Sequence, residues 1–155
     1  MIIDPTKYDC PDWSLVTMRI LVGGYIRNSK QMDAVFDNGI THLLNLQVER
    51  DDAPLLKGRP PINYLHLPVY DDHKEWDSEW LKMPLNWALK ALADDPKNKI
   101  YVHCAAGISR SSSMVYGILR AFGLNPQMAE FIIMKARPQS ELNYKKSIEK
   151  ALRIW

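Results

Sequence analysis

The chain has 155 residues, is 46% hydrophobic and 25% charged, and carries a formal net charge of +2 at neutral pH. That length supports one domain with a real core, and the near balance of charge excludes the strong basic stripe of a nucleic-acid binder. Two cysteines, Cys10 and Cys104, are too few for a disulfide framework, and no apolar run approaches a membrane span.

Taken in chain order, Arg19 to Val22 reads as a short strand. Ser29 is placed to cap a helix with Met32, Val35 and Phe36 on one face, ended by Gly39. Ile40 to Leu46 and Asn63 to Leu67 read as further strands. Between them Gln47 to Ile62, with Pro54, Gly58, Pro60 and Pro61, is long and irregular and is expected to flank a pocket. A helix is predicted within Ser78 to Asp94, where Trp80, Leu81, Leu85, Ala88, Leu89 and Leu92 recur at helical spacing. Pro84 must fall in its first turn or kink it. Lys99 to His103 is a strand, and Arg110 to Phe122 a helix stopped at Gly123. Asn125 and Pro126 open another helix with cap and first-turn residues, and a last one carries Tyr144, Ile148, Ala151, Leu152 and Trp155. This alternation predicts an α/β fold, a central, mostly parallel sheet of four to five strands flanked by helices, as one domain over residues 1–155.

The most informative run is His103-Cys104-Ala105-Ala106-Gly107-Ile108-Ser109-Arg110-Ser111, between the Lys99 to His103 strand and the next helix. Unpaired N–H groups at a helix start bind tetrahedral anions. Five residues between Cys104 and Arg110 let the chain curl so that successive N–H groups converge into a nest. Gly107 supplies the dihedral freedom for the curl. Arg110 can add a planar fork to two phosphate oxygens, a geometry lysine lacks. The same field favours a thiolate at Cys104, since a cysteine at a helix start beside a cation drops from a pKa of about 8.5 to roughly 3.5–7.5. A lone cysteine after a strand is ordinarily a small buried hydrophobe; the spaced Arg110, Gly107 and flanking elements argue for a nucleophile.

This run resembles the signature of the cysteine-dependent protein phosphatases, with Cys and Arg separated by five residues, and its Ala-Gly-Ile-Ser-Arg-Ser portion is similar to the dual-specificity branch. Arg19 to Gly24, Gly39 to Leu46, Ala136-Arg137-Pro138 and Asn143 also resemble that family, in the expected order. The resemblance implies the cysteine-phosphatase fold and a metal-independent phosphomonoester hydrolase. It implies action on phosphotyrosine and phosphoserine or phosphothreonine in proteins through a phosphocysteine intermediate. Cys104 is then the nucleophile, and Ala105, Ala106, Gly107, Ile108, Ser109 and Arg110 form the phosphate cradle.

A departing alkoxide must be protonated, so a carboxylic acid upstream of the cradle is expected. Leu67-Pro68-Val69-Tyr70-Asp71-Asp72 follows the apolar run Tyr64 to Leu67. Similarity to the family pattern apolar-Pro-x-x-Asp selects Asp71, with Asp72 as its competitor; both are also ordinary turn residues. Ser111 has two compatible readings, a hydrogen bond to the Cys104 sulfur or satisfaction of an orphan helix-start N–H. His103 is expected to support the cradle by bonding backbone. No second His or Cys stands at ligand spacing, so neither a metal nor another cofactor is expected.

Substrate choice is less legible. Ala105, Ala106, Ile108 and Ser109 add no cation to the cradle, and Asp71-Asp72-His73-Lys74-Glu75-Trp76-Asp77 is net acidic. Both disfavour polyanionic substrates by repulsion and favour a phosphorylated protein or a small aryl phosphate. A phosphoinositide or phosphoglucan phosphatase and a non-catalytic phosphosite-binding domain remain as alternatives. Trp80 and Trp87 read as core residues, while Trp76 is equally suited to the core or to a stacking surface. A reactive Cys104 calls for a reducing compartment, and Met1-Ile2-Ile3-Asp4-Pro5 has no signal-peptide pattern, so a cytoplasmic location is expected, with neither nucleic-acid nor membrane partners. A regulatory disulfide between Cys10 and Cys104 is a further option.

Overall fold

Three strands of four residues each, β2 (Ile20–Gly23), β3 (His42–Asn45) and β5 (Ile100–His103), are buried along their whole length. Strands without an exposed face belong in a sheet covered on both sides, the habit of parallel sheets. In the computed structural model, which describes residues 9–155, they form the centre of a five-stranded sheet whose edges are β1 (Trp13–Thr17) and β4 (Asn63–His66), in the order β1-β2-β5-β3-β4. β5 pairs in parallel with both β2 and β3, and β4 extends the parallel set beyond β3. At the other edge β1 pairs antiparallel with β2. The fold is thus the expected α/β arrangement, with one strand that periodicity did not flag. β1 is a half-exposed edge strand joined to β2 by a tight turn, so it shows no continuous apolar run.

Side chains alternate across this sheet and divide the interior in two. Ile20, Val22, Leu44, Ile100 and Val102 face one core, whereas Leu21, Leu43 and Tyr101 face the other. The second core is closed by Met32 and Val35 of α1 (Ser29–Asp37). The first is closed by α3 (Ser78–Asp94), α4 (Arg110–Phe122), α5 (Pro126–Ala136) and α6 (Lys145–Arg153). α4 is the central helix: every residue from Arg110 to Leu119 is buried, and it packs on β2, β5, α3, α5 and α6.

Local chemistry sets the ends. α1 is capped by Asn28, whose side chain accepts the Gln31 N–H at 2.9 Å, one residue before the serine expected there. Asn28 has extended backbone and so takes the cap position, while the Ser29 hydroxyl accepts from Arg59. The irregular stretch after β3 contains a short helix, α2 (Ala53–Leu56). Pro84 lies inside α3 rather than in its first turn. Trp155 falls beyond α6 and is 45% exposed, so it is not part of that helix's buried face. No helix among the described residues is long and apolar enough to cross a membrane.

Candidate active site

β5 ends at the centre of the sheet and α4 starts at Arg110, so the intervening residues must turn sharply outside the strand's carboxyl end. Gly107 makes the turn with φ of 70°. A Cβ there would stand 2.3 Å from the Gly23 carbonyl carbon and 2.5 Å from the Gly24 nitrogen, so glycine is required by space as well as by dihedral. The carbonyls of the turn are all held from outside. Tyr25 N–H donates to Ala105 at 3.1 Å and Glu141 N–H to Ile108 at 2.8 Å. The Arg137 guanidinium donates to Gly107 at 2.6 Å and to Ala106 at 3.4 Å. Arg137 is 1% exposed and also reaches Ser14 of β1 and Asp12, tying the edge strand to the turn. With the carbonyls committed outward, the amides from Ala105 to Ser109 have no acceptor among the described residues. That is the polarity of an anion nest.

Cys104 is buried beneath this turn, and its sulfhydryl donates to Ser111 Oγ at 3.2 Å. The Ser111 hydroxyl in turn donates to the Gly23 carbonyl at 3.2 Å, so it contacts the sulfur and caps no helix N–H. Arg110 is 4% exposed. Its Nη1 and Nη2 grip both oxygens of Glu49 at 2.8 Å, and Nη1 also donates to the Val69 carbonyl at 2.9 Å. A guanidinium has two forks. Glu49 takes the end-on one, while Nε is buried without a partner, leaving the Nε and Nη2 edge for two further oxygens. Hydrogen bonding from Arg110 holds the Glu49 carboxyl below its ordinary value, and the same contact raises the guanidinium.

His103 makes the expected contact with cradle backbone and adds a carboxylate partner. Its Nε2 lies 2.5 Å from Asp52 Oδ2, both side chains fully buried, and its Nδ1 is 3.5 Å from the Cys104 carbonyl. The ring also stacks on Tyr101 at 5.4 Å. Asp52 arrives from the irregular stretch after β3, where no sequence pattern marks it as a partner.

The acid candidates separate in space. Asp71 lines a cavity of about 420 Å³ together with Cys104, Arg110 and Glu49. Asp72 does not line it; its Oδ1 accepts the Lys74 N–H at 3.0 Å in a local turn. Residues 70–77 are anchored from α6. Trp76, 4% exposed, stacks on Tyr144 with centroids 4.1 Å apart and planes at 7°, and its backbone N–H donates to Ser147 Oγ at 2.9 Å. Trp76 is therefore core. Tyr144 donates to Asp71 Oδ1 at 3.1 Å, and Asn143 donates to Ser109 Oγ at 2.8 Å. Glu49, Asp52, Arg137 and Tyr144 were not assigned roles from sequence; only Arg137 carried a signal, through the Arg-Pro motif. Cys10 lines a separate hollow with Lys30 and Asp33, and no disulfide joins it to Cys104.

The family model for the dual specificity phosphatase catalytic domain matches residues 22–151. The chain belongs to that family. Over 130 residues it is 28% identical to human dual specificity protein phosphatase 16, covering 81% of this chain and 19% of the relative. It spans about a fifth of the length of the curated relatives it matches over 130 residues. Among solved structures, human DUSP28 superposes with a TM-score of 0.77 at 21% identity, covering 93% of this chain and 95% of that one. PTPMT1 in complex with PI(5)P gives 0.76 at 20% identity, covering 92% of this chain and 96% of that one. At these identities the structural likeness speaks for the fold.

Proposed function

We propose that this dual specificity phosphatase domain hydrolyses phosphorylated tyrosine and serine or threonine side chains in proteins through a cysteine-bound phosphoryl intermediate. The observation that carries the reading is the meeting of Cys104, Arg110 and Asp71 in one cavity of about 420 Å³. The Cys104 thiolate attacks phosphorus, and the bond to the leaving oxygen breaks as Asp71 gives it a proton. The amides from Ala105 to Ser109 and the Nε and Nη2 edge of Arg110 receive the phosphoryl oxygens, whose charge grows in the transition state. Asp71, now a carboxylate, takes a proton from the water that cleaves the sulfur–phosphorus bond. Cys104 leaves as thiolate, and the Ser111 hydroxyl, 3.2 Å away, turns from Gly23 to donate to it. His103 and Asp52 support the floor of the cradle. Neither metal nor another cofactor takes part, the described residues act as one catalytic unit, and the chemistry suits a reducing, cytoplasmic setting.

The test is turnover of an aryl phosphate by the wild type and by Cys104→Ser, with mass spectrometry of acid-quenched enzyme. A phosphorylated peptide containing Cys104 is expected in the wild type, with no turnover but retained vanadate binding in the variant. Unchanged activity in Cys104→Ser removes the nucleophile; binding without wild-type turnover makes the domain a phosphosite reader.

A second reading has support from charge in space. The sequence of the acid loop suggested repulsion of polyanions, but Lys150 pairs with Glu75 at 2.9 Å. A cavity of about 850 Å³ beside His73 and Asn143 is lined by Lys74, Lys145, Lys146, Lys150 and Arg153 against two carboxylates, Glu75 and Glu149, with Lys145 and Lys150 already paired to Glu130 and Glu75. A substrate with further negative charge near its phosphate, such as a phosphoinositide, meets attraction there. Comparing kcat/KM for phosphopeptides and phosphoinositides, with and without Lys146→Glu, separates the two readings.

A further inference from the structure

In the sequence Tyr144 is one apolar residue at helical spacing, yet its hydroxyl reaches three groups of the acid loop. It lies 3.1 Å from Asp71 Oδ1 and 3.2 Å from the Tyr70 carbonyl, and it accepts the His73 N–H at 3.1 Å. A phenol has a single proton to donate. Because the His73 N–H approaches its oxygen, the hydroxyl faces the carboxyl of Asp71 as a donor. The ring cannot swing away: Tyr144 is 1% exposed, is stacked on Trp76 at 4.1 Å, and its own N–H is held by Ser113 Oγ at 3.3 Å. The His73 ring does not compete for this role, since its Nε2 stands 3.9 Å from Asp71 Oδ1.

We infer that Tyr144 is a positioning residue for the proton donor, selecting which carboxyl oxygen of Asp71 carries the proton. The inference rests on Asp71 being the acid. While the Tyr144 hydroxyl donates to Oδ1, that oxygen serves as acceptor and the acid proton resides on Oδ2. When Asp71 has given its proton away, the same hydrogen bond supports the carboxylate, and the Tyr70 carbonyl shares the phenol proton in either state. The carboxyl thus keeps one orientation through both half-reactions, protonating the leaving oxygen in the first and accepting from water in the second. Burial, then the charge of Asp71, holds the phenol above its ordinary value, so it stays a donor at neutral pH.

The experiment compares Tyr144→Phe, Asp71→Asn and the double variant. Phenylalanine keeps the stack on Trp76 and removes only the hydroxyl. Each enzyme is assayed on p-nitrophenyl phosphate, whose leaving group needs little protonation, and on a phosphothreonine peptide, whose alkoxide needs it fully. For Tyr144→Phe, kcat/KM is expected to fall roughly 10-fold on the peptide and by less than about 2-fold on the aryl ester, with unchanged vanadate affinity. In the Asp71→Asn background the Tyr144 substitution is expected to add nothing. Equal losses on both substrates, weakened vanadate binding, or full additivity with Asp71→Asn would overturn the inference while leaving Asp71 as the acid. If Asp71→Asn itself shows no dependence on the leaving group, the acid assignment fails and the role of Tyr144 falls with it.

Discussion

In the proposed mechanism the cradle from Cys104 to Ser111 and the acid loop from Tyr70 to Asp77 serve the same phosphoryl transfer, but they are held in opposite ways. The cradle is built into the centre of the sheet. Its shape follows from one glycine, the end of β5 and the start of α4, and its core contacts lie within the most buried helix of the molecule. The acid loop is largely exposed and has no regular structure; it is kept in place by α6, about seventy residues downstream, through Tyr144, Ser147 and Lys150. Anion binding therefore depends on local backbone geometry, and proton delivery on distant side chains. The two functions should fail separately when each support is removed.

The most damaging change to the cradle is Gly107→Ala. The new Cβ would meet the Gly23 and Gly24 backbone at 2.3 and 2.5 Å, neither of which can swing aside as a side chain does. Positive φ adds about 1–2 kcal/mol for a non-glycine residue, and overpacking against backbone adds about 1–3 kcal/mol. Activity and vanadate binding are expected to disappear together, with a fall in thermal midpoint on the order of 10 °C. A variant that binds vanadate normally would show that the turn does not need this dihedral. It would also erase the distinction between a backbone-defined cradle and a side-chain-defined loop.

That distinction also explains what could be read from the chain. Cys104, Gly107, Arg110 and Ser111 lie within eight consecutive residues, and the strand and helix that position them have clear periodicity. The mostly parallel sheet follows from the same alternation, because continuous apolar strands must be covered on both faces, whereas the order of its strands comes from the structure. β1 escaped notice because an edge strand buries only part of one face. The partners Glu49, Asp52 and Tyr144 come from loops and a helix start far away in sequence. A carboxylate in a loop looks the same whether it grips Arg110 or faces water, and a tyrosine at helical spacing looks like packing. In the sequence only family resemblance favours Asp71 over Asp72; in space the two neighbours differ by which one lines the cavity.

A smaller loss is expected where the cradle does depend on a distant group. Glu49→Gln leaves one oxygen for an Nη of Arg110 but sets an amide NH2 against the other and removes the charge. Contacts between charged groups of this kind contribute about 1.5–3 kcal/mol when buried. Glu49 is half exposed, so a loss in kcat/KM of roughly 10-fold is expected, shared by aryl and alkyl substrates, with weaker vanadate binding. That uniform loss separates it from the leaving-group dependence predicted for Tyr144→Phe. A gain in activity would mean that Glu49 competes with phosphate for the guanidinium instead of presenting its free edge.

The smallest expected effect concerns the helix that carries the acid loop. Glu149 of α6 accepts from Tyr116 at 2.6 Å and from Arg120 at 2.7 and 3.0 Å, pinning α6 to α4. Hydrogen bonding to Arg120 holds its carboxyl below the ordinary value of 4.5. A carboxyl depressed on folding adds stability that is fully present above its unfolded value and is lost as the pH falls through the folded one. The pair is part-exposed, so its worth is held to about 1 kcal/mol, or roughly 2–4 °C in thermal midpoint. Wild type is expected to exceed Glu149→Gln by that margin near neutral pH, and the two curves are expected to converge below the depressed carboxyl value. Because Tyr144 stands at the cap of α6 and Ser147 within it, the variant should also lose more rate on a phosphothreonine peptide than on an aryl ester, with vanadate affinity unchanged. A margin constant across acid and neutral pH would assign the contact to packing of the Glu149 stem, and equal loss on both substrates would show that α6 supports the whole site rather than its acid half.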